Sequence, residues 1–244
     1  MTAQLHVHPD SLAVASAVAQ RWAELAKVAI HEHGRFTVAL SGGRTPRILY
    51  ELLASPAWRD RLPWDQTELY LGDERCVPAD HVDSNARMVH EALLDRLPHP
   101  PLFFPMVSDP LRPDQDAAHY ASLLRERLGD APIPTFDLIL LGMGADGHFA
   151  SLFPGTTALE DREALVLPVR EAHLDHRRIS LSRRVIAAAR RRIVMVTGAD
   201  KRAALAEVLH KPGSLLPIAR LQRQASLEWH VDQAAYPVKP TAGV

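Results

Sequence analysis

Short, almost wholly apolar runs recur along this chain, and each breaks off into a polar motif carrying glycine. The clearest runs from Phe136 to Leu141 and ends in Gly142-Met143-Gly144-Ala145-Asp146-Gly147-His148. A brief apolar run of this kind suits a strand covered on both faces of a parallel sheet. Phe36 to Leu40 stops likewise at Ser41-Gly42-Gly43, Thr67 to Leu71 at Gly72-Asp73-Glu74-Arg75, and Ile193 to Thr197 at Gly198. Arg178 to Ser182 and Leu227 to Val231 read as further strands.

Helical patterns fill the intervals. Asp10 caps a helix reaching towards His33, with Val14, Val18, Trp22, Leu25 and Val28 or Ala29 at helical spacing and Gly34 as its stop. Thr45-Pro46 predicts the next helix start, with Thr45 as N-cap and proline in the first turn. Ser84 caps a helix carrying Met88, Val89, Ala92, Leu93 and Leu97, and another spans Asp114 to Leu128, closed by Gly129. A last helix runs from Asp200 to His210, and the proline-rich stretch 98–112 reads as irregular. Strands alternating with helices predict one Rossmann-like α/β domain over residues 1–244, with a mainly parallel sheet flanked by helices on both faces. Ligands of such sheets bind outside the carboxyl ends of the strands, so the polar motifs are expected at one edge.

Bulk properties narrow the function classes. Hydrophobic residues at 47% and charged residues at 23% of 244 supply a core and exclude disorder. A net charge of -1 asks for neither nucleic acid nor an anionic membrane. Arg190-Arg191-Arg192, with Arg183-Arg184 upstream, therefore read as solvated surface. The apolar stretch from Leu12 to Ile30 contains Arg21, Glu24 and Lys27 and is no membrane span. A lone cysteine, Cys76, and no signal-peptide pattern indicate the reducing cytoplasm. No spacing resembles a zinc site. His6 and His8 read as an exposed or sheet-edge pair, because metal binding needs partners that the sequence does not identify.

Four motifs carry chemistry, and each has two readings. Ser41-Gly42-Gly43-Arg44-Thr45-Pro46 offers close backbone approach, hydroxyls and the free N–H groups of a helix start, which suit phosphate. It equally suits a plain strand-to-helix turn. Asp73 and Glu74 either tie down a loop through backbone N–H groups or position a substrate, with Arg75 as a cation for an anion. In the third motif, His148 has the right acidity to take a proton from water, and Asp146 can fix its tautomer. A histidine in a loop also serves structure alone. In Thr197-Gly198-Ala199-Asp200-Lys201, Lys201 opposes the dipole of its own helix start and so is either substrate-directed or merely solvated.

Taken in this order, the four motifs resemble the 6-phosphogluconolactonase family, from Ser41 to Lys201. The most specific pieces are Asp73-Glu74-Arg75-x-Val77-Pro78 with Asp83-Ser84-Asn85, and Gly142-Met143-Gly144-x-Asp146-Gly147-His148-x-Ala150-Ser151-Leu152-Phe153-Pro154. Phe149 departs from the pattern, where threonine or another small or polar residue is expected. Glucosamine-6-phosphate deaminase shares the fold, but its Asp-Gly-His motif continues towards Phe-Asn-Glu-Pro and its Asp-Glu pair lacks an arginine matching Arg75. Deaminase or isomerase chemistry, with Asp73 shuttling a proton, is thus the lesser alternative. A sugar-phosphate sensor of a transcription regulator is weaker still, since one long helix precedes the first predicted strand and leaves no DNA-binding helix pair.

The resemblance implies hydrolysis of a small sugar-phosphate lactone, 6-phospho-D-glucono-1,5-lactone, without metal or cofactor. It implies His148 as general base, Asp146 orienting it, and Ser41, Gly42, Gly43, Thr45, Asp73, Glu74, Arg75, Asn85 and Lys201 binding the substrate. Arg75 and Lys201 divide between phosphate and carbonyl in either order. A monomer or small homo-oligomer is expected, acting without nucleic acid or membrane.

Overall fold

The computed structural model describes residues 4–129 and 131–237. Its strands are β1 (Gln4–His8), β2 (Phe36–Leu40), β3 (Thr67–Leu71), β4 (Asp73–Arg75), β5 (Leu102–Phe104), β6 (Leu138–Leu141), β7 (Val166–Val169), β8 (Arg178–Leu181), β9 (Arg191–Val196) and β10 (Glu228–Asp232). Its helices are α1 (Ser11–His33), α2 (Arg44–Leu53), α3 (Pro56–Arg59), α4 (Asn85–Ala92), α5 (Pro113–Leu128), α6 (Thr157–Glu160), α7 (Arg183–Ala188), α8 (Arg202–His210) and α9 (Pro217–Gln222).

Seven strands form a sheet in the order β1-β10-β9-β6-β2-β3-β5. All its pairings are parallel, as the apolar runs predicted. Every residue of β2, β3 and β6 is buried, which a parallel sheet with helices on both faces requires. The chain starts its main winding at β2, moves outward through β3 to β5, then returns to β6 on the other side of β2. The order therefore reverses between β2 and β6, and a crevice opens where their carboxyl ends diverge.

Local chemistry explains the elements. The Asp10 side chain accepts from the Ala13 amide at 2.8 Å, and Gly34, at φ 80°, ends α1 with its N–H on the Ile30 carbonyl. Trp22 of α1 meets Phe36 edge-on at 5.6 Å between ring centroids. At the amino ends of the central strands, the buried carboxylate of Asp137 accepts from the Thr37 amide and hydroxyl, both at 2.9 Å. The Asp137 amide donates back to the Thr37 hydroxyl at 3.1 Å. The second oxygen meets the His33 ring at 2.9 Å and the Arg190 guanidinium at 3.2 Å. This clamp sets β2 against β6.

Several sequence expectations change. Arg178–Leu181 is a strand, but it lies in a second, antiparallel sheet ordered β4-β8-β7. β4 leaves β3 after one residue, Gly72, so the acidic motif begins a new sheet rather than a loop. Within the proline-rich stretch, Leu102–Phe104 pairs with β3 as the edge strand. Thr45 is not an N-cap, because α2 begins at Arg44 and Gly43 holds the cap position without a side-chain bond. Ser84 does cap α4, accepting from the Arg87 amide, although that helix stops at Ala92. Arg192 and Arg183 are buried rather than solvated. Arg192 donates to the carbonyls of Ser226, Ala187 and Ala189, which satisfies a guanidinium without an acidic partner. Among the described residues, no helix is long and apolar enough to cross a membrane.

Asp137→Ala removes two charge-assisted bonds from the β2–β6 clamp, so a loss of roughly 3 kcal/mol is predicted. His33→Ala removes only a partly exposed pair and is expected to cost under about 1 kcal/mol. Urea denaturation checks this ordering, and equal losses from the two variants would refute the clamp.

Candidate active site

A cleft of about 550 Å³ lies at the carboxyl ends of β2, β6, β9 and β10. Ser41, Gly42, Gly43, Thr45, Asp73, Arg75, Asn85, His148 and Lys201 all line it. Four motifs spread along the sequence from Ser41 to Lys201 thus share one wall system, because parallel strands deliver their following loops to the same edge.

The loop after β2 is held from beneath. The Tyr50 hydroxyl accepts from the Ser41 amide at 3.0 Å and donates to the Ser41 carbonyl at 2.8 Å. Burial pushes the acidity constant of Tyr50 upward, so the phenol stays a neutral hydroxyl. Asn85, the first residue of α4, leans over Gly42 so closely that a Cβ there would sit 2.0 Å from Asn85 Oδ1. The Asn85 side-chain amide donates to the Asp73 carbonyl at 2.8 Å and joins the first two motifs. Gly43 has φ 101°, a conformation that favours glycine. No side chain caps α2, and its first turn lines the cleft; Pro46 has no N–H, so the amides of this helix start belong to Arg44 and Thr45. Thr45 meets Thr197 hydroxyl to hydroxyl at 2.6 Å and ties this loop to the fourth motif.

The cations come in an unusual arrangement. Arg75 of β4 lies directly opposite Arg178 of β8, and both line the cleft. Like charges placed across a strand pair repel. Burial, and then Arg75, hold the Arg178 guanidinium below its ordinary acidity range. Neither Arg75 Nε nor Arg178 Nε has a partner among the described residues. The Arg75 Nη1 donates to the Asp83 carbonyl at 2.8 Å, which aims the side chain. Such a pair is what an anion relieves. Arg178 was not singled out from the sequence; its only signal there is a charge opening the run Ile179-Ser180-Leu181. Lys201 also reaches the cleft and pairs with the exposed Asp200 at 3.1 Å.

The two acidic residues after β3 part company. Asp73 faces the cleft and accepts from the buried Ser151 hydroxyl at 2.6 Å. Glu74 does not line the cleft. It accepts from the amides of Arg75, Asn85 and Ala86 at 2.7, 2.8 and 2.7 Å, and from the Ser84 hydroxyl at 3.2 Å. Burial raises its carboxyl above the ordinary range against these bonds. Glu74 therefore fixes the turn into α4, which the sequence offered as the alternative to substrate binding.

His148 reaches Asp146 through Nδ1 at 2.6 Å, and its Nε2 remains for the cleft. Partial desolvation opposes charge on Asp146, but the neighbouring His148 and backbone N–H groups outweigh it and hold the carboxylate below its usual range. Asp146 itself does not line the cleft; it stands behind His148. The His148 ring rests on Phe153 at 4.5 Å, and the Arg178 guanidinium sits over the same phenyl at 5.5 Å. Phe149 is fully buried in the core, so the departure from the family pattern is taken up by packing. Cys76 does not line the cleft, and burial pushes its thiol up to about 11.

The family described as glucosamine-6-phosphate isomerases/6-phosphogluconolactonase matches residues 9–229. The chain belongs to this family. It is 42% identical over 212 residues to a 6-phosphogluconolactonase of a Nostoc species, covering 85% of this chain and 86% of that one. It is 37% identical over 226 residues to the 6-phosphogluconolactonase of Rattus norvegicus, covering 91% and 86%. The solved structure of 6-phosphogluconolactonase from Trypanosoma brucei superposes with a TM-score of 0.83 at 28% identity, covering 96% of this chain and 97% of that one.

Gly144 is where this family's motif is least free to vary here. A Cβ would lie 2.1 Å from His148 Nδ1 and 2.5 Å from Asp146 Oδ1. Gly144→Ala is therefore expected to break the Asp146–His148 contact while the fold persists. Proton NMR of the imidazole checks it: the downfield Nδ1 proton of the native protein should vanish, and its retention would show that the loop adapts.

Proposed function

We infer that this protein hydrolyses 6-phospho-D-glucono-1,5-lactone to 6-phosphogluconate, the lactone-opening step of the oxidative pentose phosphate pathway. One observation carries the reading: an oriented imidazole shares a cleft with an uncapped helix start and an opposed arginine pair. The first is a proton acceptor, and the other two bind phosphate. The family and the named relatives support the same reaction.

The steps follow from the residues. Ser41, Gly42, Gly43 and Thr45 receive the phosphate, with the cations Arg75, Arg178 and Lys201 around it. Asp73 and Asn85 meet sugar hydroxyls or hold the loops that do. His148 Nε2 takes a proton from water as the water oxygen attacks the C1 carbonyl. The carbonyl electrons move onto oxygen, and loop N–H groups or a cation stabilise that charge. When the intermediate collapses, the C1–ring oxygen bond breaks and the imidazolium returns its proton to the departing oxygen. Asp146 keeps the proton-bearing nitrogen of His148 turned away from the substrate. No metal is needed for this chemistry, because the ester is already activated by its ring. Residues 1–244 act as one unit in the cytoplasm, as a monomer or small homo-oligomer.

Two variants test the reading in a coupled assay with freshly made lactone, corrected for spontaneous hydrolysis. His148→Ala is expected to lower kcat by on the order of 10²–10⁴-fold with the fold intact. Near-normal turnover would remove it as the base. Lys201→Ala is expected to raise KM by roughly 10–100-fold, the worth of one charge-assisted hydrogen bond. An unchanged KM would place Lys201 outside the substrate's reach. Ammonia release from glucosamine 6-phosphate would move the protein to the isomerase branch.

A further inference from the structure

The two histidines near the amino terminus find partners in the fold. β1 is the edge strand and runs parallel to β10, with His6 opposite His230 and Gln4 opposite Glu228. Side chains two apart on a strand share a face, so His6, His8, Glu228 and His230 gather on one side. The His230 ring stacks on His6 at 4.9 Å and on His8 at 5.2 Å. Its Nε2 lies 3.1 Å from Glu228 Oε1, and its Nδ1 lies 3.1 Å from His8 Nε2. Ligand atoms of His6, Glu228 and His230 all fall within 4.8 Å of one another.

We propose that His6, Glu228 and His230 form a site for a divalent transition ion of the zinc type, separate from the cleft. Two imidazoles and one carboxylate suit zinc, nickel or copper, whereas magnesium and calcium require oxygen donors. Zinc–ligand bonds of 2.0–2.2 Å in a tetrahedron separate neighbouring ligand atoms by about 3.3 Å. The 3.1 Å between His230 Nε2 and Glu228 Oε1 is close to such an edge. An ion there displaces the proton the two atoms share, and His6, exposed on the edge strand, swings in as the third ligand.

The surroundings already resemble the outer shell of a metal site. With Nε2 on the ion, His230 Nδ1–H donates to His8 Nε2, which fixes its tautomer. Glu228 Oε2 accepts from Arg21 Nε of α1 at 3.2 Å, so the second carboxylate oxygen is also held. One other cluster, His81, Asp83 and His176, has comparable spacing. There all three ligands lie in loops and none is buried, whereas β10 sets both Glu228 and His230, and His230 is buried. The sheet-edge cluster is preferred on that ground.

Zinc titration of untagged, chelator-stripped protein by calorimetry tests the assignment. The expected result is one equivalent bound by the native chain, lost in His6→Ala, retained in His81→Ala, and weakened about 10–100-fold in His8→Ala. His6 is exposed, so its replacement leaves the fold, which circular dichroism verifies. Absence of zinc binding, binding unchanged in His6→Ala, or binding abolished only in His81→Ala would each overturn the proposal.

Discussion

The clamp between Thr37 and Asp137 is the constraint on which the rest of the molecule depends. It joins the two strands on either side of the point where the winding reverses, at the end remote from the cleft. Parallel strands carry no hairpin to fix their relative position, so register rests on burial pattern and on specific polar contacts. A slip of one residue would turn every side chain of β6 to the opposite face. It would also move the loop after Leu141 away from the loop after Leu40. The buried carboxylate is expensive to desolvate, and its bonds to Thr37, His33 and Arg190 offset that cost.

Much of this was legible in the sequence because period and punctuation agree. The runs Phe36 to Leu40, Thr67 to Leu71 and Phe136 to Leu141 are too short for helices and are closed by glycine, and they became the central strands. What stayed hidden depended on partners distant in sequence. β1 is an edge strand without an apolar run, foreshadowed only by the sheet-edge reading of its histidines, and the apolar run of β5 is three residues shut between Pro101 and Pro105. The small antiparallel sheet arises because Asp73–Arg75 meets Arg178–Leu181 across a hundred residues, and no local pattern encodes that meeting. The N-cap at α2 was misplaced by one turn chemistry overriding another: threonine before proline is a sound cap signal, but Gly43 at φ 101° had already turned the chain.

The candidate site was legible by residue type and less so by role. His148, Asp146, Arg75 and Lys201 could be named because chemistry restricts which side chains handle protons and anions. Glu74 illustrates the reverse. A buried acid beside a reactive-looking loop invites a substrate role, yet the amides of Arg75, Asn85 and Ala86 absorb both of its oxygens. Arg178 escaped notice because its meaning lies in facing Arg75, a relation that only the folded sheet creates.

Phe153 lies beneath both the imidazole and the Arg178 guanidinium. One aromatic plate therefore supports both the imidazole proposed to move protons and a guanidinium proposed to face the anion. Repacking that plate shifts both at once, so the two halves of this cleft are mechanically coupled without any moving domain. Evolution or engineering that retunes the pocket for a bulkier or less charged ligand has to pass through this shared support, and substitutions on its two sides will compose non-additively.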